Sequence, residues 1–152
     1  MDRLTVTWDD VQTLCDRLAD QLAGQPFEGL LAVTRGGLIP AGLLAYRLNL
    51  RDILVAAMQF YDDNGARAAQ PTFLQFPAAP LLRGRRILVV DEVWDSGRTI
   101  AAVCDRVRDA GGAPVTAVLH HKPQRSEMPG RPDFMAQETN DWIVYPWTKK
   151  PN

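Results

Sequence analysis

The residues best placed to do chemistry in this 152-residue sequence are two adjacent carboxylates followed by a glycine and two hydroxyls. In Ile87-Leu88-Val89-Val90-Asp91-Glu92-Val93-Trp94-Asp95-Ser96-Gly97-Arg98-Thr99-Ile100, an aliphatic run ends at Asp91 and Glu92. A short loop follows, and Ile100, Val103, Cys104 and Val107 then recur at helical spacing. This is a strand, a turn and a helix. The unpaired amides of the helix start, the hydroxyls of Ser96 and Thr99, and the close backbone approach allowed at Gly97 would together cradle an anion, best a phosphate monoester. Asp91 and Glu92 would repel that phosphate, so they must face hydroxyls or a hard cation such as Mg²⁺. A sugar phosphate satisfies both requirements. The nucleotide-triphosphate loop pattern, Gly-x-x-x-x-Gly-Lys-Ser/Thr, does not occur in the sequence.

These residues need a scaffold that brings strand ends and helix starts to one edge. A continuous apolar run suits a strand covered on both faces, as in a parallel sheet between helices, and such sheets bind ligands at their carboxyl edge. Thr7-Trp8-Asp9-Asp10 is a capping-box variant, and Val11, Leu14, Leu18 and Leu22 predict a helix over 8–23. Leu30 to Thr34 reads as a strand, Arg35-Gly36-Gly37 as a loop, and Leu38 to Leu48 as a helix, repeating the arrangement around Asp91. Adjacent glycines can form an amide nest, so this loop is either a second phosphate or diphosphate site or a plain tight turn.

Ile53 to Phe60 and Val115 to Leu119 are further strands, and Gly111-Gly112 ends the helix that follows the Asp91 segment, before the second of them. The polar stretch 61–72 holds the turn signal Asp62-Asp63-Asn64-Gly65 and reads as a lid or as an exposed hairpin or loop. Phe73 to Phe76 predicts a short extended return, residues 124–137 an irregular segment, and Trp142 to Tyr145 a final strand or arm. His120 and His121 suggest a metal site only weakly, since strand neighbours point to opposite faces and no third ligand is suitably spaced; a structural or solvent role is expected. The elements alternate as in one α/β domain over residues 1–152.

Seventeen basic and eighteen acidic residues leave no excess charge for a general nucleic-acid surface. Cys15 and Cys104 fall on helical apolar stripes and read as buried free thiols in a reducing compartment. The amino-terminal residues do not form a signal segment and no apolar run reaches membrane-spanning length, so a cytoplasmic protein without a membrane partner is expected.

The segment Val89 to Thr99 resembles the phosphoribosyl-diphosphate motif of type I phosphoribosyltransferases, and Arg35-Gly36-Gly37 resembles their pyrophosphate loop. Val6-Thr7-Trp8-Asp9, Ala32 to Pro40, Lys122-Pro123 and Trp142 to Trp147 are similar to the small bacterial xanthine-guanine and hypoxanthine enzymes of that family. The resemblance implies a mostly parallel central sheet flanked by helices, with a small C-terminal hood. It implies transfer of phosphoribose from Mg²⁺-bound phosphoribosyl diphosphate to guanine, xanthine or hypoxanthine, in a homodimer or homotetramer.

Within that resemblance, Asp95, Ser96, Gly97, Arg98 and Thr99 would hold the 5′-phosphate, and Asp91 and Glu92 the ribose hydroxyls and Mg²⁺. Glu92 stands where relatives commonly carry Asp. Asp95 would receive the N7 proton of the purine; without the resemblance it reads as a helix cap. Arg35, Gly36 and Gly37 would hold pyrophosphate, with a cis peptide between Thr34 and Arg35. Lys122 would bind O6, Trp142 would stack on the base, and the main chain of Ile143 would read its position 2 edge. Tyr61-Asp62 would begin a closing loop in which Arg67 joins the leaving group. Trp94 and Ser96 depart from the usual loop residues. A phosphoribosyltransferase for another base, and a non-catalytic sensor of the sugar diphosphate, are the alternative readings.

Overall fold

Alternate residues of the three central strands are divided between two apolar layers, and this division places helices on both faces of one sheet. The computed structural model describes residues 2–61, 64 and 67–148, excluding the side chains of Tyr61, Arg67, Ala68 and Ala69. Its strands are β1 (Arg3–Thr5), β2 (Gly29–Val33), β3 (Ile53–Tyr61), β4 (Arg67–Gln75), β5 (Arg86–Trp94), β6 (Ala113–His121), β7 (Phe134–Glu138) and β8 (Trp142–Val144). Its helices are α1 (Trp8–Leu22), α2 (Leu38–Arg47) and α3 (Arg98–Asp109).

Six strands form the main sheet in the order β4-β3-β2-β5-β6-β7, and only the β3–β4 pair is antiparallel. Leu30, Ala32, Leu88, Val90, Ala117 and Leu119 pack with the apolar stripes of α1 and α2. The intervening Leu31, Val33, Ile87, Val89 and Val118 pack with Ile100, Val103, Cys104 and Val107 of α3. Such two-sided burial is why these strands read as unbroken hydrophobic runs.

Helix α1 begins where the sequence signals it. Thr7 Oγ1 accepts from the Asp10 amide at 3.0 Å while Asp10 Oδ2 accepts from the Thr7 amide at 2.8 Å, a reciprocal cap. This hydrogen bonding holds the Asp10 carboxyl below its usual pKa. Both cysteines are free and buried, and burial raises the Cys15 thiol to about 11 and the Cys104 thiol to about 12.

Three expectations need correction. Strand β5 does not stop at the acids but continues through Asp91 and Glu92 to Trp94, because Val93 and Trp94 remain paired with His120 and His121 of β6. The segment expected to be irregular contains β7, an edge strand with only partly buried apolar residues and therefore a weak sequence signal. The short return is part of the nine-residue β4. The small C-terminal hood is present, but its β8 pairs in parallel with β1, a strand absent from the sequence reading. Asp62, Asp63 and Gly65 of the expected turn lie outside the described residues, as does the Arg67 side chain.

Candidate active site

The two glycine-bearing loops meet at the carboxyl edge of β2 and β5. Gly37 is pressed so closely onto this edge that an added Cβ would come within 2.6 Å of the Val90 carbonyl oxygen and 3.1 Å of the Asp91 Cα. At Gly36 the same position is filled by the Glu92 carboxylate, which lies directly over the loop. The Thr34–Arg35 peptide is cis. The Gly37 amide bonds to the Val33 carbonyl at 3.0 Å and the Leu38 amide to the Arg35 carbonyl at 3.1 Å, so both of these donors are spent on the protein itself.

Across the edge, Asp91, Glu92, Asp95, Ser96, Gly97 and Thr99 line a concavity of about 150 Å³ at the start of α3. Gly97 is the N-cap and has φ +84°, a left-handed conformation open to glycine; a Cβ there would also strike the Trp94 indole. Trp94 is buried beneath the turn and donates from Nε1 to Ser126 Oγ at 3.1 Å. The bulky residue in this loop thus forms its floor. Arg98 follows, its guanidinium 5.0 Å from the Phe60 ring centroid.

Asp91 is buried, and burial together with the neighbouring Glu92 raises its carboxyl well above the usual range. Burial also raises Glu92, while its contact with Asp91 and the charge of Arg35 oppose the shift. Two carboxyls in a low-dielectric site strongly favour a proton or cation between them. Mg²⁺ commonly binds through one or two carboxylates together with substrate phosphates, so this pair fits a metal carried in on a diphosphate. No cluster of three or more metal-ligating side chains is found among the described residues.

Lys122 stands at the end of β6, only 5% exposed. Its amide bonds to the Trp94 carbonyl at 2.9 Å, its Nζ lies 3.8 Å from Asp95 Oδ2, and the Trp142 ring centroid is 5.8 Å away. A buried ammonium thus sits between a carboxylate and an indole that is 60% exposed. In the hood, Trp142 donates its amide to Asp2 at 2.9 Å and Val144 accepts from the Val6 amide at 2.9 Å. Main-chain groups alternate along a strand, so those of Ile143 point to the opposite edge.

These loops occupy the positions of a common fold. A model of the phosphoribosyl transferase domain matches residues 7–150 of the chain. The chain belongs to the phosphoribosyltransferase family. This phosphoribosyltransferase is 33% identical over 144 residues to the xanthine-guanine phosphoribosyltransferase of Idiomarina loihiensis, covering 93% of its own length and 84% of the relative's. The purine phosphoribosyltransferase of Pyrococcus horikoshii has the same fold, with a TM-score of 0.86 at 30% identity, covering 100% of this chain and 98% of that one. A protein of Neisseria gonorrhoeae, solved with bound ppGpp, gives a TM-score of 0.84 at 28% identity over 97% of this chain and 90% of that one.

In this phosphoribosyltransferase Gly36 and Gly37 lie against Asp91 and Glu92 at one sheet edge, the Asp95 to Thr99 turn follows Asp91 and Glu92 at the same edge, and Lys122 lies near both Asp95 and the Trp142 ring. Two contributors, Arg125 and Tyr145, escaped the sequence reading. Arg125 Nε donates to Asp95 Oδ1 at 2.6 Å, from a segment with no periodicity to draw notice. Tyr145 donates its hydroxyl to the Glu92 carbonyl at 3.1 Å, and His120 Nδ1 lies 2.8 Å from the Tyr145 hydroxyl oxygen. The phenol already donates to the carbonyl, so His120 is the donor in the second bond and carries its proton on Nδ1. Burial, with the Lys122 charge, lowers His120 to about 4, so it is neutral at pH 7. His121 is also buried, its Nδ1 3.2 Å from Glu138. Both histidines are structural.

Proposed function

We propose that residues 1–152 act as one catalytic unit that transfers the 5-phosphoribosyl group from phosphoribosyl diphosphate to a 6-oxopurine, giving a nucleoside 5′-monophosphate and pyrophosphate. The observation that carries this reading is the convergence of Asp95, Lys122 and Trp142 next to the concavity at the start of α3. In this reading the 95–99 turn receives the 5′-phosphate, Asp91 and Glu92 the ribose hydroxyls, and Arg35 and Gly36 the diphosphate, while Gly37 lets their loop lie against the sheet edge. Asp91 and Glu92 would hold Mg²⁺, which when bound supplies charge neutralisation for the departing diphosphate.

Bond breaking at the ribose carbon leaves positive charge on the sugar and negative charge on the diphosphate, and fixed charges that are already in place stabilise both. Asp95 accepts the N7 proton as the purine nitrogen bonds to the ribose carbon. It needs no raised basicity, because the proton grows more acidic as that bond forms. Lys122 donates to O6. A 6-amino group would set donor against donor and leave the ammonium unsatisfied, so adenine is disfavoured. Trp142 covers the base, and the outward amide and carbonyl of Ile143 suit a position 2 substituent. That a relative binds ppGpp, which joins a guanine to ribose and phosphates, agrees with this set of subsites.

Pyrophosphate release should be measured with Mg²⁺, phosphoribosyl diphosphate and, in turn, guanine, xanthine, hypoxanthine, adenine and uracil. Turnover is expected with at least one 6-oxopurine and not with adenine or uracil. Binding of the sugar diphosphate without turnover of any base would instead favour the sensor reading. Asp95→Asn is expected to lower kcat by about 10²- to 10⁴-fold while sugar-diphosphate binding persists. Among the described residues no helix is long and apolar enough to cross a membrane. A cytoplasmic homodimer or homotetramer completes the proposal, with sedimentation as its check.

A further inference from the structure

We infer that Arg125 is the residue that aims the Asp95 carboxylate at the purine, a positioning role that rests on the reaction proposed above. Asp95 has two oxygens in unlike surroundings. Oδ1 accepts from Arg125 Nε at 2.6 Å, while Oδ2 faces Lys122 Nζ at 3.8 Å. O6 and N7 are adjacent on one edge of a 6-oxopurine. A base whose O6 is held by Lys122 therefore presents N7 to the oxygen that Arg125 leaves free. Engaging Oδ1 fixes the rotation of the carboxylate and keeps Oδ2 on the side of the base.

The turn that carries Arg125 is tied at several points. The Arg125 amide bonds to the Lys122 carbonyl at 3.1 Å, so the O6 donor and the Asp95 partner belong to one tight turn. The Glu127 amide bonds to the Ser96 carbonyl at 2.8 Å, and Ser126 Oγ receives the Trp94 indole N–H at 3.1 Å. Those two bonds fasten the turn to the loop proposed for the 5′-phosphate. Arg125 is thereby held relative to both Lys122 and Asp95, and its guanidinium reaches the carboxylate from a fixed base. An exposed ion pair by itself contributes little to stability, and this pair is 52% and 42% exposed. The role assigned to it lies in catalysis rather than folding.

Arg125→Ala and Arg125→Lys should be compared with the unaltered enzyme for kcat, for KM of phosphoribosyl diphosphate and for thermal unfolding. With the 6-oxopurine that the unaltered enzyme uses, Arg125→Ala is expected to lower kcat about ten-fold or more, as misplacing a reacting group does. KM for the sugar diphosphate and the unfolding temperature should stay unchanged. Methylguanidinium added to Arg125→Ala should recover part of kcat, and Arg125→Lys should retain more activity than Arg125→Ala, since it keeps the charge. Unchanged kcat in Arg125→Ala, an increased kcat, or a loss that neither methylguanidinium nor lysine relieves would overturn the assignment. Failure of the underlying reaction is distinct: the unaltered enzyme would then turn over no 6-oxopurine at all.

Discussion

Gly36 and Gly37 are neighbours with different reasons for lacking a side chain. A methyl at Gly37 would meet the Val33 and Val90 carbonyl oxygens, which belong to the central strands and cannot yield. A methyl at Gly36 would meet the Glu92 carboxylate, the end of a flexible side chain. Gly37→Ala is therefore expected to cost about 3 kcal/mol of stability, at the upper end for overpacking, in urea unfolding. Gly36→Ala should unfold near the unaltered midpoint yet bind the sugar diphosphate several-fold more weakly, as calorimetry would register. Equal effects of the two substitutions on stability would show that the loop does not sit as described. The longer side chain of Glu92 has its counterpart in the same contact, because its carboxylate covers Gly36 where a diphosphate is proposed to bind.

At the scale of elements, the hood is fastened to the acid-bearing strand by one chain of hydrogen bonds. It runs from His120 on β6 to the Tyr145 hydroxyl just after β8, and on to the Glu92 carbonyl on β5. Tyr145 also stacks on Trp147, with centroids 4.6 Å apart and planes 6° from parallel, and Trp147 lies 5.9 Å from Trp8 at the start of α1. The two ends of the described chain are thus bound to each other and to the site. Tyr145→Phe removes the phenol oxygen and strands a buried imidazole N–H, which should cost about 1–3 kcal/mol in denaturant unfolding. If Trp142 covers the base, the same change should raise KM for the purine, because β8 loses its anchor. Destabilisation below about 0.5 kcal/mol would mean that the bond chain is not formed.

For the molecule as a whole, the buried His120 sets a pH dependence of stability. Its pKa is lowered to about 4 from an ordinary 6.5 by burial and by Lys122. Between those values the unfolded chain holds a proton that the folded one does not, so stability rises with pH in that window. The contribution is complete above about pH 6.5 and is lost as pH falls toward 4, amounting to on the order of 3 kcal/mol. Urea unfolding at pH 7 and pH 4.5 should reveal the loss, and His120→Leu should flatten the slope across that window. An unaltered slope in that variant would place the titrating group elsewhere.

The sequence by itself determined which face of each central element is apolar, because burial on both sides of a parallel sheet demands continuous runs that no surface strand tolerates. It also marked where the two loops leave the sheet, since glycine at a tight turn acts within a few residues of its own strand and helix. It left β7 and β1 unseen, as edge and hood strands are short, half-exposed and held by pairing with distant chain. Likewise Arg125 and Tyr145 carried no local signal, for their partners Asp95 and Glu92 lie 30 and 53 residues away in sequence. Only the tertiary fold decided that the two loops share one edge and that Lys122 and Arg125 flank a single carboxylate with Trp142 next to Lys122, because side chains so far apart in sequence meet only after the sheet has set their distances.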